Sequence, residues 1–229
     1  DVGQVAAFER YKAELLEWNQ RFNLTGITAP AEIDSKHFLD SLSCLQALPA
    51  LDGRPLVAWL ASAPKAVDVG AGAGFPGVPL KIAWPNLRLT LVEATGKKCH
   101  FLRHLVAVLA LEDVNVVHER AEVFGRGAGR AAFDLALARA VSRLPTLLEY
   151  TLPLLRRGGW LIAQKGQDPA QELTTAQTAL KTLGGRLHSV LPLTVPGLEA
   201  DRHLVLVGKP GNTPAAFPRR AGMPEHSPL

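Results

Sequence analysis

The sequence predicts an α/β fold: a doubly wound, seven-stranded sheet with an N-terminal helical extension. Three observations point there. An apolar strand runs straight into a glycine turn at residues 66–77. Beyond it, short apolar runs alternate with helical stretches up to residue 208, the pattern of strand–helix–strand units. Ahead of it, Val5, Phe8, Tyr11, Leu15, Trp18 and Phe22 recur at spacings of three and four, the period of an amphipathic helix.

The elements follow in order. A helix is expected over residues 4–22, broken by Asn23-Leu24-Thr25-Gly26. A second starts after Pro30 and carries Ile33, His37, Phe38, Leu42 and Leu45 toward residue 47, and a short one with Trp59 lies between Pro55 and Pro64. Strands are expected at 66–70, 88–93, 114–118, 133–138, 159–164, 187–193 and 203–208, with helices at 77–84, 96–110, 142–155 and 169–183. Gly158-Gly159 and Gly184-Gly185 are expected to end the last two helices. The last strand has no helix before it and is expected to insert antiparallel. Three parts result: an extension packed on the core (1–64), the sheet domain (65–209), and a basic, proline-rich tail (210–229) expected to be non-helical.

With 47% apolar and 20% charged residues, the composition is that of a soluble globular protein. No run approaches the roughly eighteen apolar residues of a membrane span, and no signal segment is evident, so a cytoplasmic protein is expected. Cys44 and Cys99 are too few and too separate for a disulfide framework and are expected to be buried thiols. Neither they nor the histidines suggest a metal, and none is expected.

Charge is unevenly spread. Residues 1–50 carry a balance of −3, residues 81–104 one of +4 and residues 202–229 one of +3. Such basic stretches suit a polyanion such as RNA.

A glycine turn after a strand, with an acid about twenty residues on, is how α/β sheets bind adenosine ligands. Gly70, Gly72 and Gly74 form the turn, and Glu93 closes the next strand. A dinucleotide would need G-x-G-x-x-G and free N–H groups for its pyrophosphate. The chain has G-x-G-x-G, Pro76 removes an N–H, and Asp68 adds a carboxylate expected at the loop mouth. S-adenosylmethionine carries a sulfonium and an ammonium against one carboxylate, so that pattern favours it over NAD.

Residues at the carboxyl ends of the strands form the candidate site. Glu93 can accept two hydrogen bonds from a ribose diol, or pair with Lys97 one turn on. Ala121 and Glu122 can face the adenine edge, or Glu122 can be a plain helix-start acid. Arg139, a cation ending an apolar strand, is the candidate catalytic residue and can bind the methionine carboxylate or the acceptor. After that strand stands Ala-Arg-Ala-Val, where enzymes methylating exocyclic amines have an Asp/Asn-Pro-Pro-aromatic segment. Cys99, inside a predicted helix, does not suit the cysteine nucleophile of a pyrimidine-C5 enzyme. An acceptor with a free lone pair remains, and guanine N7 fits. Displacement in line needs positioning and electrostatics but no general base.

The chain resembles the bacterial small-subunit ribosomal RNA guanine-N7 methyltransferases, also called glucose-inhibited division protein B. The resemblance runs through Trp18-Asn19, Asn23-Leu24-Thr25, Lys36-His37-Phe38-Leu39-Asp40-Ser41-Leu42, the segment from Asp68 to Gly77, Lys97-Lys98, Arg120-Ala121-Glu122, Arg139-Ala140 and Phe217-Pro218-Arg219-Arg220. It implies the class I methyltransferase (Rossmann-like) fold and methyl transfer from S-adenosylmethionine to a guanosine N7 of 16S ribosomal RNA or the small ribosomal subunit. It also implies cofactor contacts at Gly70, Phe75, Glu93, Ala94, Thr95, Ala121, Glu122 and Arg139, to which the glycine turn adds Asp68, Gly72 and Gly74 as expected cofactor-binding residues. Gly96 departs from relatives with a basic or bulkier residue before the lysine pair. RNA phosphates are expected at Lys97, Lys98, Arg103, Lys165, Arg202, Lys209, Arg219 and Arg220. In the N-terminal helices packing is expected to dominate, although Lys36 and His37 can reach RNA. Two other functions fit a cofactor pocket on this sheet: a ribosome-assembly factor without catalysis, and an NAD-dependent oxidoreductase.

Overall fold

The structure, a computed structural model, describes residues 1–166, 168–198 and 201–229. Its strands are β1 (Lys65–Val69), β2 (Arg88–Glu93), β3 (Val114–His118), β4 (Phe133–Arg139), β5 (Leu155–Lys165), β6 (Arg186–Leu193) and β7 (Arg202–Gly208). They form one sheet in the order β3-β2-β1-β4-β5-β7-β6. The first five are parallel, and β7 lies antiparallel between β5 and β6, as the missing helix before it predicts. The strand order reverses between β1 and β4, which opens a cleft beyond their carboxyl ends.

The helices are α1 (Val2–Asn19), α2 (Pro30–Ile33), α3 (Asp40–Leu42), α4 (Leu48–Asp52), α5 (Leu56–Ala61), α6 (Gly77–Ala83), α7 (Gly96–Val108), α8 (Ala121–Arg126), α9 (Leu144–Thr151), α10 (Ala170–Thr175), α11 (Gln177–Leu183) and α12 (Met223–His226). Alternate strand residues point to opposite faces, so the sheet buries two cores. On one face Leu89, Leu91, Leu135, Leu137 and Ile162 pack with Tyr11 and Leu15 of α1 and Phe101 and Leu105 of α7. On the other, Val67, Val69, Ala136 and Leu161 meet Phe124 of α8, Leu144 and Leu148 of α9, and Leu180 of α11.

Four departures from the expected elements have local causes. First, α1 stops at Asn19 rather than residue 22 because Asn19 turns to bind the next segment. Its Oδ1 accepts from the N–H groups of Leu24 (2.8 Å) and Thr25 (3.0 Å), and its Nδ2 donates to the Thr25 carbonyl (3.0 Å). Second, the helix after Pro30 is irregular: a π-helical turn, Asp34–Leu39, joins α2 to α3, and a 3₁₀ turn, Ser43–Ala47, joins α3 to α4. Third, Gly158-Gly159 do not end a helix. The chain leaves α9 through a 3₁₀ turn, Leu152–Leu154, and the glycines sit in a bulge where the β4/β5 register slips. A Cβ on Gly159 would stand 3.0 Å from the carbonyl oxygens of Arg156 and Asp134, so a side chain there would crowd the bulge backbone. Gly184, by contrast, does end α11 in the left-handed region. Fourth, the tail holds a helix, α12, because Pro224 falls in its first turn, where a missing N–H costs nothing.

Candidate functional site

The glycine turn closes over the end of β1. Gly70 and Ala71 donate to the Val92 carbonyl (2.8 and 3.1 Å), and Gly72 donates to Glu93 Oε2 (2.9 Å). Glu93 Oε1 accepts from the Thr95 N–H (2.7 Å), so one buried carboxylate ties the turn to the loop after β2. Each Glu93 oxygen keeps a second lone pair for a diol, and the Lys97 pairing is not formed. Gly72 has φ +60°, and a Cβ there would meet only the Gly70 carbonyl oxygen, at 3.8 Å, so a ligand can approach its backbone. At Gly74 the position is the opposite: φ is +103°, and a Cβ would lie 2.7 Å from Tyr11 Oη and 2.8 Å from Val78 Cγ2. Tyr11 reaches in from α1 to donate to the Ala73 carbonyl (2.6 Å). Open backbone at Gly72, exposed Ala94 and Thr95 and the free Glu93 lone pairs fit an adenosine ribose.

For three of the expected cofactor residues the structure shows the side chain already engaged within the protein. Asp68 is not at the loop mouth but fully buried beneath it. Its Oδ2 accepts from the Gly77 N–H (2.8 Å), and burial pushes its carboxyl up to about 7. It therefore holds the loop against α6 instead of offering a charge to a ligand, and its repulsion of a pyrophosphate is weaker than expected. The ring of Phe75 stacks on His37 (4.3 Å between centroids) and Tyr11 (5.3 Å), leaving its backbone alone for a cofactor. Glu122 is buried, and its Oε1 accepts from the N–H of Gly222 in the tail (2.8 Å). The first turn of α8 has no side-chain cap, so its backbone donors are the groups available toward an adenine edge.

Beside the loop, a cleft of about 330 Å³ is lined by Lys36, His37, Asp40, Arg139, Ala140, Gln164, Lys165, Gly166 and Arg202. Arg139 is its centre. Its Nη1 donates to Asp40 Oδ2 (2.9 Å) and the Lys36 carbonyl (3.2 Å), its Nη2 to His37 Nδ1 (3.1 Å), and its guanidinium lies 4.8 Å from the Phe75 centroid. Arg202 Nε donates to Asp40 Oδ1 (3.0 Å), so two permanent cations share one buried carboxylate. Lys165 donates to Ser142 O (2.9 Å) and Glu172 (2.7 Å). The balance at the cleft is positive and suits an anion.

A guanidinium only donates, so His37 Nδ1 must accept, and Nε2 then carries the proton toward Thr25 Oγ1 (2.8 Å). Burial first, and Arg139 second, lower the imidazole to about 4, and it is neutral near pH 7. The N-terminal segment thus does more than pack: it supplies Lys36, His37 and Asp40. Asp40 was not among the expected site residues. The spacing of three between His37 and Asp40 puts both on one helical face, which is the one signal the sequence offered.

The expected phosphate contacts do not form one surface. Lys97, Arg103 and Arg220 are exposed and Lys98 is half-buried. Lys165 and Arg202 line the cleft. Lys209 is corrected: it is 3% exposed, donates to the Gly211 carbonyl (2.6 Å), and is lowered to about 8 by burial. Arg219 is corrected too, since its fork is spent on the fully buried Glu149 (2.7–3.1 Å). His100 and His104 stand one turn apart on α7, but both rings lie against Trp18. Among the described residues no group of three or more His, Cys, Asp or Glu side chains is placed to hold a metal ion.

Comparison with known proteins gives three findings. The sequence model of the family described as rRNA small subunit methyltransferase G matches residues 4–205. A Chloroflexus aggregans protein named ribosomal RNA small subunit methyltransferase G is 48% identical over 227 residues, covering 99% of this chain and 90% of that protein. Among solved structures, a mutant 16S rRNA (adenine(1408)-N(1))-methyltransferase from Catenulisporales acidiphilia superposes with a TM-score of 0.56 at 15% identity, covering 69% of this chain and 91% of the other. M. jannaschii TYW2 in complex with AdoMet gives 0.51 at 14%, covering 73% and 74%. These structural likenesses show the fold, the seven-stranded class I methyltransferase sheet.

Proposed function

The chain belongs to the rRNA small subunit methyltransferase G family, and on that premise we propose that it methylates N7 of a guanosine in the 16S RNA of the small ribosomal subunit. It is an S-adenosylmethionine-dependent enzyme, and its place of work in this reading is the cytoplasm. The observation that carries the proposal is the shared wall between loop and cleft: Phe75 follows the glycines, and its ring touches both His37 and Arg139, which line the cleft.

Bound S-adenosylmethionine supplies a methyl group on a sulfonium sulfur, open to in-line displacement by the N7 lone pair. The chain's own part is to bind and orient. Gly72, Glu93, Ala94 and Thr95 hold the adenosine, with the first-turn amides of α8 toward the adenine. The cleft takes the nucleotide. An arginine paired bidentate with guanine O6 and N7 would occupy the lone pair that must attack. It would also set a cation against the charge that develops on the purine. Arg139 and Arg202 therefore hold a phosphate of the target strand, anchored by Asp40, and leave N7 free. Arg139 is the residue that joins the two halves of the site.

The test is transfer of labelled methyl from S-adenosylmethionine to small subunits and to naked 16S RNA, followed by digestion to nucleosides. Label is expected in 7-methylguanosine. Label confined to an exocyclic amine or a ribose hydroxyl would overturn the assignment.

A further inference from the structure

The family model matches up to residue 205, while the Chloroflexus aggregans relative aligns over 99% of the chain, and residues 210–229 are bound to the sheet domain by more than surface contact. Two buried carboxylates receive their partners from this tail. Glu149 of α9, fully buried, accepts from the Arg219 N–H (2.7 Å) and its guanidinium. Glu122 of α8, 3% exposed, accepts from the Gly222 N–H. A buried carboxylate without such partners is costly. In the other direction, Arg126 donates to the Pro218 carbonyl (2.6 Å), Arg130 to those of Phe217 (2.7 Å) and Thr213 (2.9 Å), and Thr146 to that of Pro224 (2.9 Å).

Two of these contacts, at Glu122 and Arg126, hold α8, and those at Glu149 and Thr146 hold α9 beside it. Helix α8 spans six residues, too short to hold itself in place by helical propensity. Its first turn carries the uncapped amides and Glu122, its last turn carries Arg126, and Gly125 meets the Pro218 ring so closely that a Cβ would stand 3.3 Å away.

We propose that the tail is a working part of the cofactor site: a strap that seats α8 through Glu122 and Arg126 and so fixes the backbone donors on the adenine side. The proposal rests on the reading that the first turn of α8 borders the adenine. Gly222 is its most testable point. It sits at φ +84°, where a side chain is strained, and its N–H is the one that Glu122 accepts.

The experiment measures S-adenosylmethionine affinity by calorimetry for the full chain and for Gly222→Ala. The variant is expected to bind at least fivefold more weakly, with the loss appearing in KM for the cofactor rather than in kcat. An affinity within twofold of the wild type would overturn the strap, even if the melting temperature falls, because that pattern marks a merely structural tail. Should the variant fail to fold, hydrogen exchange on the wild type decides. Added cofactor is expected to protect amides at 121–124 and 219–223 together with those at 70–74. Protection confined to 70–74 would overturn the strap and leave the cofactor site standing. No protection and no binding heat from the wild type would remove the cofactor reading itself.

Discussion

His37 is fixed by the chemistry of its neighbours. Arg139 permits only an acceptor at Nδ1, and Thr25 takes the proton on Nε2, so the neutral ring is the form that keeps Arg139 aimed into the cleft. Its folded value, lowered to about 4, lies below the ordinary 6.5. The stability it contributes is fully present above pH 6.5 and is lost as pH falls toward 4, because the unfolded chain binds the proton first. Asp68 works in the opposite direction. Raised from 3.8 to about 7, it contributes most at low pH and loses that contribution as pH rises through 7. The two slopes oppose each other between pH 4 and 6.5. Replacing His37→Gln keeps an acceptor but removes one slope, and the difference in stability between wild type and variant should grow by roughly 3 kcal/mol across that window. Urea unfolding at a series of pH values measures it. A difference that stays constant with pH would mean the imidazole is not held neutral by the fold.

The glycine turn shows what one element asks of its residues, and how much of that the sequence displayed. Strand, glycines and Glu93 were legible because each follows from spacing alone. The role of Asp68 was not, since a sequence does not say whether an acid lies above or beneath a loop. Nor did it show that Tyr11, some sixty residues upstream, supports the turn. Two substitutions separate these demands. Gly72→Ala meets only an ordinary contact with the Gly70 carbonyl oxygen and should cost about 1–2 kcal/mol for its left-handed backbone, yet lower cofactor affinity at least tenfold by blocking the approach of the ligand. Gly74→Ala drives a methyl into Tyr11 and Val78 and should destabilise by roughly 2–4 kcal/mol in total. Thermal unfolding and calorimetry on both variants check the contrast. Equal losses of affinity and stability in the two would contradict an open site above Gly72.

At the scale of the whole molecule, charge is where sequence and structure differ most. The doubly wound sheet followed from the alternation of periods and the antiparallel last strand from the missing helix before it, both local signals. Basic residues carry no such signal: Lys97 and Lys209 look alike in one dimension. In three, Lys97 is exposed at the start of α7, whereas Lys209 is buried where β7 passes into the tail. Only a charge that meets phosphate releases counterions, so the dependence of RNA affinity on salt distinguishes the two. Removing a phosphate contact should reduce the slope of log K against log salt by about 0.7 for single-stranded RNA. Lys97→Gln is expected to lower the slope by about that amount while leaving the melting temperature nearly unchanged. Lys209→Gln should leave the slope as it is and lower the melting temperature, because its ammonium serves the Gly211 carbonyl and not the RNA. Equal slopes for all three proteins would place the RNA away from α7, with Arg139 and Arg202 as its remaining anchors in the cleft.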